Sequence, residues 1–281
     1  MLYRLTIVVV CLFTLTLVIT TVSADQDLAK QSQNPIGTMI SVPFQNNGYF
    51  GIGPSDSSAY VLNIQPVYPV KIGELNLINR FTLPVIGLEG QDQVPPYKVL
   101  EIGEAGSITD ITESEFGLGD TTYQAFFSPA KPSSVIWGVG PAFVLPTATN
   151  SSLGSEKWSA GMAAVVLTMP GKWVLGALAQ NVWSFAGDSD AQDVDKFLLQ
   201  YFINYNLVKG WYLTSTPIIT ANWEASSGNE WTVPFGGGAG RLVKFGKQPV
   251  DFKLQAFWNA VKPDSGPDWS LQFQVKLLFP K

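Results

Sequence analysis

The chain contains no histidine. A histidine-based catalytic triad is therefore excluded, together with the commonest general base. Its single cysteine, Cys11, lies inside an apolar N-terminal run. A mature chain lacking that run has no thiol nucleophile and no disulfide. Charged residues make up only 14% of the sequence, against roughly 25% in ordinary soluble domains. The formal charge is -5, and no basic stripe of the kind that meets nucleic acid is visible. After Ala24 no stretch reaches the roughly 18 apolar residues of a membrane-crossing helix. A membrane role thus requires a closed barrel.

What is present points the same way. The N-terminus reads as a targeting segment. Arg4 supplies a positive start, Leu5 to Val22 an apolar core, and Val22-Ser23-Ala24 a small-residue cleavage signal before Asp25. Residues 1–24 are therefore expected to be a signal peptide, with an uncleaved anchor as the alternative. Export without disulfides fits a bacterial envelope protein. Residues 25–37 are polar and aperiodic and read as a flexible periplasmic segment. The remainder, 38–281, reads as strands.

The C-terminal stretch shows the pattern most plainly. Trp269, Leu271, Phe273, Val275, Leu277 and Phe279 share one face; Ser270, Gln272, Gln274 and Lys276 share the other. Similar alternation runs through Ala59–Val70, Leu75–Val85, Phe116–Ser128, Val135–Leu145, Asp195–Leu207 and Val250–Val261. It is weaker in Lys157–Met169 and Trp173–Phe185, where both faces are small or apolar. Thr38–Phe44 reads as a short first strand, and Gln45–Ser58, rich in Asn, Gly and Ser, as a loop. The count is about 12 strands of roughly ten residues, the length a tilted strand needs to cross a bilayer. Connections near residues 71, 131, 170, 209 and 247 are tight, whereas those near 50, 100, 150, 190, 226 and 265 are longer and polar. This asymmetry predicts a closed antiparallel transmembrane β-barrel with both mature termini on the periplasmic, short-turn side. Trp137, Trp173 and Trp211 fall beside tight turns; Trp158, Trp183, Trp223, Trp231, Trp258 and Trp269 fall beside long loops. That distribution predicts two aromatic girdles at the membrane interfaces.

Several segments carry a family resemblance: Trp137-Gly-Val-Gly-Pro141, Gly236-Gly-Gly-Ala-Gly240, Gly246-Lys-Gln-Pro249, Leu254-Gln-Ala-Phe257, Pro267-Asp-Trp269 and the C-terminal Phe273-to-Lys281 run. With them, from about Ala59 onward, the chain resembles the bacterial "MetA-pathway of phenol degradation" proteins, often labelled transporters or neuromedin U. The resemblance implies an outer-membrane β-barrel that takes up small organic, in part aromatic, solutes. It implies membrane lipids and lipopolysaccharide as surroundings. It carries no catalytic set, and no enzyme activity or cofactor is expected. Many outer-membrane strands end on an aromatic read by the assembly machinery; here Phe279 is followed by Pro280 and Lys281.

The polar row of the strands predicts the lumen lining: Glu74, Arg80, Asp120, Lys196, Gln200, Asn204, Asp251, Lys253, Gln255, Gln272, Gln274 and Lys276. In a pore these side chains set selectivity, and their mixed signs imply no strong preference for one charge. The alternative is that they pair and fill a narrow interior, leaving a structural or adhesion role to the loops. A soluble periplasmic β-barrel carrier is a third reading. Asp188, Asp190 and Asp193, with Asp195, form an acidic cluster that is a weak metal candidate, since the spacing lacks a calcium-loop pattern. Gly236-Gly-Gly238 lacks the Lys-Ser/Thr of a phosphate loop and reads as a bulge or close strand contact.

Overall fold

A computed structural model describes residues 26–89, 100–101, 107–108, 114–131 and 133–280. The predicted leader and most of the long loop after residue 89 lie outside the described residues.

Twelve antiparallel staves follow one another in chain order: β1 (Ile40–Ile52), β2 (Ser57–Ile64 and Val67–Ile72), β3 (Leu75–Leu88), β4 (Glu115–Leu118 and Thr121–Pro129), β5 (Val135–Leu145), β6 (Lys157–Thr168), β7 (Trp173–Gly187), β8 (Asp195–Asn206), β9 (Trp211–Ser215 and Ile218–Asn222), β10 (Trp231–Phe245), β11 (Gln248–Val261) and β12 (Trp269–Phe279). Each pairs with its neighbours, and β12 returns to β1 from Ile40 opposite Phe279 to Phe50 opposite Trp269. The sheet therefore has no free edge, so every strand has hydrogen-bonding neighbours on both sides. Two staves are interrupted where a proline removes a ladder donor, at Gln65-Pro66 and Thr216-Pro217. The first break is spanned by Gln65 N donating to Pro43 O at 2.9 Å and Phe81 N to Pro66 O at 3.1 Å.

Alternation sorts the side chains as a membrane requires. Phe273 (43% exposed), Leu254 (51%) and Phe235 (71%) look outward, while Gln272, Gln274 and Gln255 are buried in the interior. A soluble fold would hide the first set and solvate the second. All nine tryptophans are between 37% and 60% exposed. Trp137, Trp173 and Trp211 stand at the short-turn end, and the other six at the long-loop end.

Two parts of the chain differ from the expectation. The Asn-rich stretch after Phe44 is strand, not loop: β1 runs to Ile52, and only residues 53–56 turn. Turn-like composition misleads here because the amides of Gln45 and Asn47 point inward and find partners, Gln272 Nε2 donating to Asn47 Oδ1 at 3.1 Å. The outward amide of Asn46 accepts from the Tyr60 hydroxyl and donates to Phe273 O at 3.4 Å.

The N-terminal segment, expected to be flexible, is folded. Gln26–Ser32 forms helix α1, too short for a visible apolar period. It is held by the barrel end that receives it. Ala29 packs with Leu242 and Leu278, and Ile36 joins the apolar cluster inside the barrel. Lys30 Nζ donates to Met169 O at 3.0 Å and Gly171 O at 2.7 Å, both in the β6–β7 turn. Gln33 and Asn206 exchange side-chain hydrogen bonds at 2.9 and 3.1 Å. The segment therefore occupies the short-turn mouth.

Candidate functional site in the barrel lumen

The interior has two unlike walls. Staves β3 to β8 contribute an apolar one: Ile78, Phe126, Ala142, Ala163, Val165, Leu167, Val174, Leu178, Val182, Leu198 and Phe202 form one cluster with Val67 and Ile36. Staves β9 to β12 and β1 contribute a polar one. This division explains why β6 and β7 alternate weakly in sequence, since lipid and an apolar lumen wall ask for similar side chains.

Small residues shape the apolar wall. A Cβ on Gly140 would stand 1.8 Å from Ala125 O, and one on Gly161 1.8 Å from Asn181 O. No side chain is compatible with that backbone approach. With Ala142 and Ala163 beside them in register, these positions leave an open lane across β5 and β6. Gln124 of β4 and Gln180 of β7 reach through it, Nε2 to Oε1, at 2.6 Å. A buried amide pair made this way satisfies both groups, which would otherwise cost about 1–3 kcal/mol each.

The polar wall is a connected amide and hydroxyl layer. Gln255 Nε2 donates to Gln272 Oε1 and to Thr216 Oγ1, both at 2.8 Å, and Thr216 N donates back to Gln255 Oε1 at 3.1 Å. Gln272 continues the chain to Asn47. Two cavities flank this layer and share Gln45 and Thr216. The lower, toward the short turns, has a volume of about 100 Å³; the upper has about 50 Å³. Arg80, Gln200, Asn204, Asp251, Lys253, Gln274 and Lys276 line the lower one, and Gln272 the upper. Tyr212 OH donates to Asp251 Oδ1 at 2.9 Å; a Cβ on Gly240 would meet the Tyr212 ring at 2.2 Å, so glycine there makes room for the tyrosine. Lys276 Nζ donates to Ser32 O at 2.8 Å, tying the N-terminal segment to the polar wall. Tyr212, Thr216 and Gln45 were not anticipated. Period-two spacing from Gln272 to Lys276 has no counterpart across the Thr216-Pro217 break that would have revealed the first two.

Three predicted lining residues stand elsewhere or do other work. Glu74 lies in the two-residue turn between β2 and β3, almost fully exposed, with Lys131 Nζ 3.9 Å away. Alternation does not extend into a turn, so its parity was misleading. Asp120 sits at the break in β4, buried but committed to a loop: it accepts from Ala148 N at 3.2 Å and from Ser155 N and Oγ at 2.7 Å. Lys196 faces inward on β8 and is half-buried, away from both cavities.

The acidic cluster is likewise spent on hairpin geometry. Asp188 Oδ1 accepts from Asp190 N at 2.9 Å. Asp193 accepts from Ser184 Oγ at 3.2 Å and pairs with Lys157 Nζ at 3.2 Å. The Lys157 ammonium holds the Asp193 carboxyl below its ordinary pKa of 3.8. Asp195 accepts from Asn181 Nδ2 at 2.8 Å. Among the described residues no group of three or more His, Cys, Asp or Glu converges on a metal position. The Gly236-to-Gly238 run stays in continuous register with β11, the bulge falling instead between Val233 and Pro234. Arg241 lies over the Trp211 ring, 5.1 Å from its centre, near the short turns.

The COG4313 outer membrane channel from Pseudomonas putida F1 superposes with a TM-score of 0.60 at 17% identity, covering 88% of this chain and 97% of that one. More distant are the CymD monoaromatic hydrocarbon channel (TM-score 0.41, 9% identity, 93% and 94% covered) and LpxR from Salmonella typhimurium (0.42, 7%, 85% and 100%). No curated protein matches the sequence. Residues 42–264 match the model of the MetA-pathway of phenol degradation family, and the chain belongs to that family.

Proposed function

We propose that this protein is an outer-membrane channel for passive entry of small organic solutes, exported by residues 1–24, with both mature termini periplasmic. The observation that carries this reading is the two-walled lumen inside a lipid-facing belt. A barrel built only to be filled gains nothing from segregating apolar from polar side chains across its interior. A solute with an apolar body and a polar group does, because each part meets its own wall. The likeness to a solved outer membrane channel supports the reading. The outward aromatics serve as anchors in lipid, and the long loops face lipopolysaccharide. In this reading the assembly machinery recognises Phe279, which points outward and pairs with Ile40 at the closing seam.

Two features impede flow: the amide layer around Gln255 and the segment 26–37. The segment is held by a few side-chain hydrogen bonds, each contributing roughly 1 kcal/mol net, and by the burial of Ala29 and Ile36. That is small beside twelve fully paired staves, so it is displaced without unfolding the barrel. They also favour a second reading, a sealed barrel with a structural role. Conductance in planar bilayers separates the two. The channel reading expects discrete openings from the full mature chain and larger, steadier ones after deletion of residues 26–37. Well-folded protein silent in both forms would leave only the sealed barrel.

A further inference from the structure

We propose that the upper cavity is a subsite for an uncharged, hydroxyl-bearing organic solute. The solute hydroxyl donates to the side-chain carbonyl of Asn63, and its apolar body lies toward the apolar wall. This rests on the channel reading and names the solute class for it.

A buried acceptor here has nothing to accept. Asn63 faces inward on β2 and is 2% exposed, and its Oδ1 finds no hydrogen-bond partner. Its cross-strand neighbours, Gln45 and Pro84, explain why. Gln45 turns its Nε2 toward Asn47 Oδ1 at 3.4 Å, and the proline side chain has no donor. Other amides around the cavity are committed. Gln272 Nε2 donates to Asn47 Oδ1 at 3.1 Å, Asn47 Nδ2 to the carbonyls of Gln45 and Val61 at 3.4 Å, and Asn259 Nδ2 to Pro267 O at 2.7 Å. Asn63 lines the same cavity. An acceptor left dry bears its whole desolvation cost, so the site calls for a donor from outside the chain.

The lining decides what kind of donor. None of the described residues around the upper cavity is Asp, Glu, Lys or Arg, whereas the lower one holds Arg80, Asp251, Lys253 and Lys276. An ammonium would give up its water with no carboxylate to meet it, and a carboxylate would meet no cation. Burying either is far costlier than burying a neutral group. A hydroxyl brings one donor and two lone pairs. Thr220 and Thr232 stand opposite each other in register and line the cavity with hydroxyls able to serve those lone pairs. Ile218 lines the cavity and also packs against the apolar cluster. It forms the seam where hydroxyl and body part, so the two walls act on one molecule.

The test measures binding, separately from conductance. Fluorine NMR follows para-fluorobenzyl alcohol with the full mature chain in micelles, against the same micelles without protein. The expected result is a saturable shift that benzyl alcohol reverses. Benzyl methyl ether cannot donate and benzoate is charged; each should compete roughly fivefold less well or worse, the factor that one net hydrogen bond is worth. Asn63→Leu, checked for the heat-dependent gel shift, should weaken the alcohol by a similar factor and leave the ether unchanged. The competitors share one body and are ranked on the unaltered chain, so the result does not depend on the variant folding. No saturable shift, equal competition by the ether or by benzoate, or a folded Asn63→Leu that still favours the alcohol would overturn the subsite. Bilayer openings would then leave the channel standing. The expected ranking beside silent bilayers would remove the channel and keep the binding site.

Discussion

The two walls of the lumen solve the same problem with opposite materials. The polar wall closes space with hydrogen-bonded amides, so its rigidity depends on partners: Gln255 serves Gln272 and Thr216 at once. The apolar wall closes space by size, with glycine and alanine on β5 and β6 beside larger Phe126, Leu178 and Phe202. The contrast teaches where each wall is vulnerable. A polar wall fails when a partner is lost, and the cost is desolvation of whatever remains. An apolar wall fails when volume is added or polarity is introduced.

The largest expected effect comes from added volume. Gly161→Val places carbon against the Asn181 carbonyl, where even a Cβ stands at 1.8 Å. Strain of this kind costs upward of about 4 kcal/mol, so the variant should lose the heat-dependent gel shift of a folded barrel. Valine at Ala164, whose side chain faces lipid on the same strand, should keep it. Next comes polarity in the wrong wall. Leu178→Asn buries an amide in the cluster where Leu178 is 1% exposed, and should cost roughly 3 kcal/mol. Denaturant unfolding in micelles measures it. Were the variant as stable as the parent, the apolar wall would be wetter than its packing implies.

Cutting the polar wall should cost less and change function more. Gln255→Ala leaves Thr216 and Gln272 without their shared partner, at about 1–3 kcal/mol. It also removes the amide that ties Thr216, which lines both cavities, to Gln272, which lines the upper one. The barrel should still fold, and single-channel conductance should rise. An unchanged conductance would place the narrowest point at the N-terminal segment instead.

These differences also explain what was legible beforehand. Stave number, closure and loop asymmetry followed from alternation and turn chemistry, because lipid outside and amides inside are opposite demands along β11 and β12. The weak alternation of β6 and β7 was visible but ambiguous: an apolar lumen wall and a mixed strand look alike in one dimension. Gln45 and Asn47 were hidden because amide-rich strands facing a lumen share composition with turns. Glu74 and Asp120 were misplaced because parity says which side a residue faces, not whether the strand has ended or a loop has claimed the side chain. The folded state of residues 26–37 is invisible locally, since its partners are Met169, Asn206 and Lys276, far along the chain.

The smallest predicted effect lies at the long-loop mouth of the apolar wall. Lys157, nearly buried, pairs there with the exposed Asp193, and Asp193 also receives the Ser184 hydroxyl. The carboxyl is held below 3.8 when folded, so the pair is intact above that value. Its contribution fades as pH falls through the depressed folded value. Because Asp193 is open to solvent, screening keeps the effect local, and global stability should not change. The backbone beside it should report the loss. Ser184 N donates to Val194 O at 2.8 Å, and Val194 N to Ser184 Oγ at 3.0 Å. Hydrogen exchange at these two amides, corrected for intrinsic rates, should quicken in acid while Leu178 stays protected. Asp193→Asn should reproduce that loosening at neutral pH and abolish its pH dependence. If acid instead exposed Leu178 and the loop together, mouth and wall would be one cooperative unit, and the distinction between a size-packed wall and a partner-held rim would have to be given up.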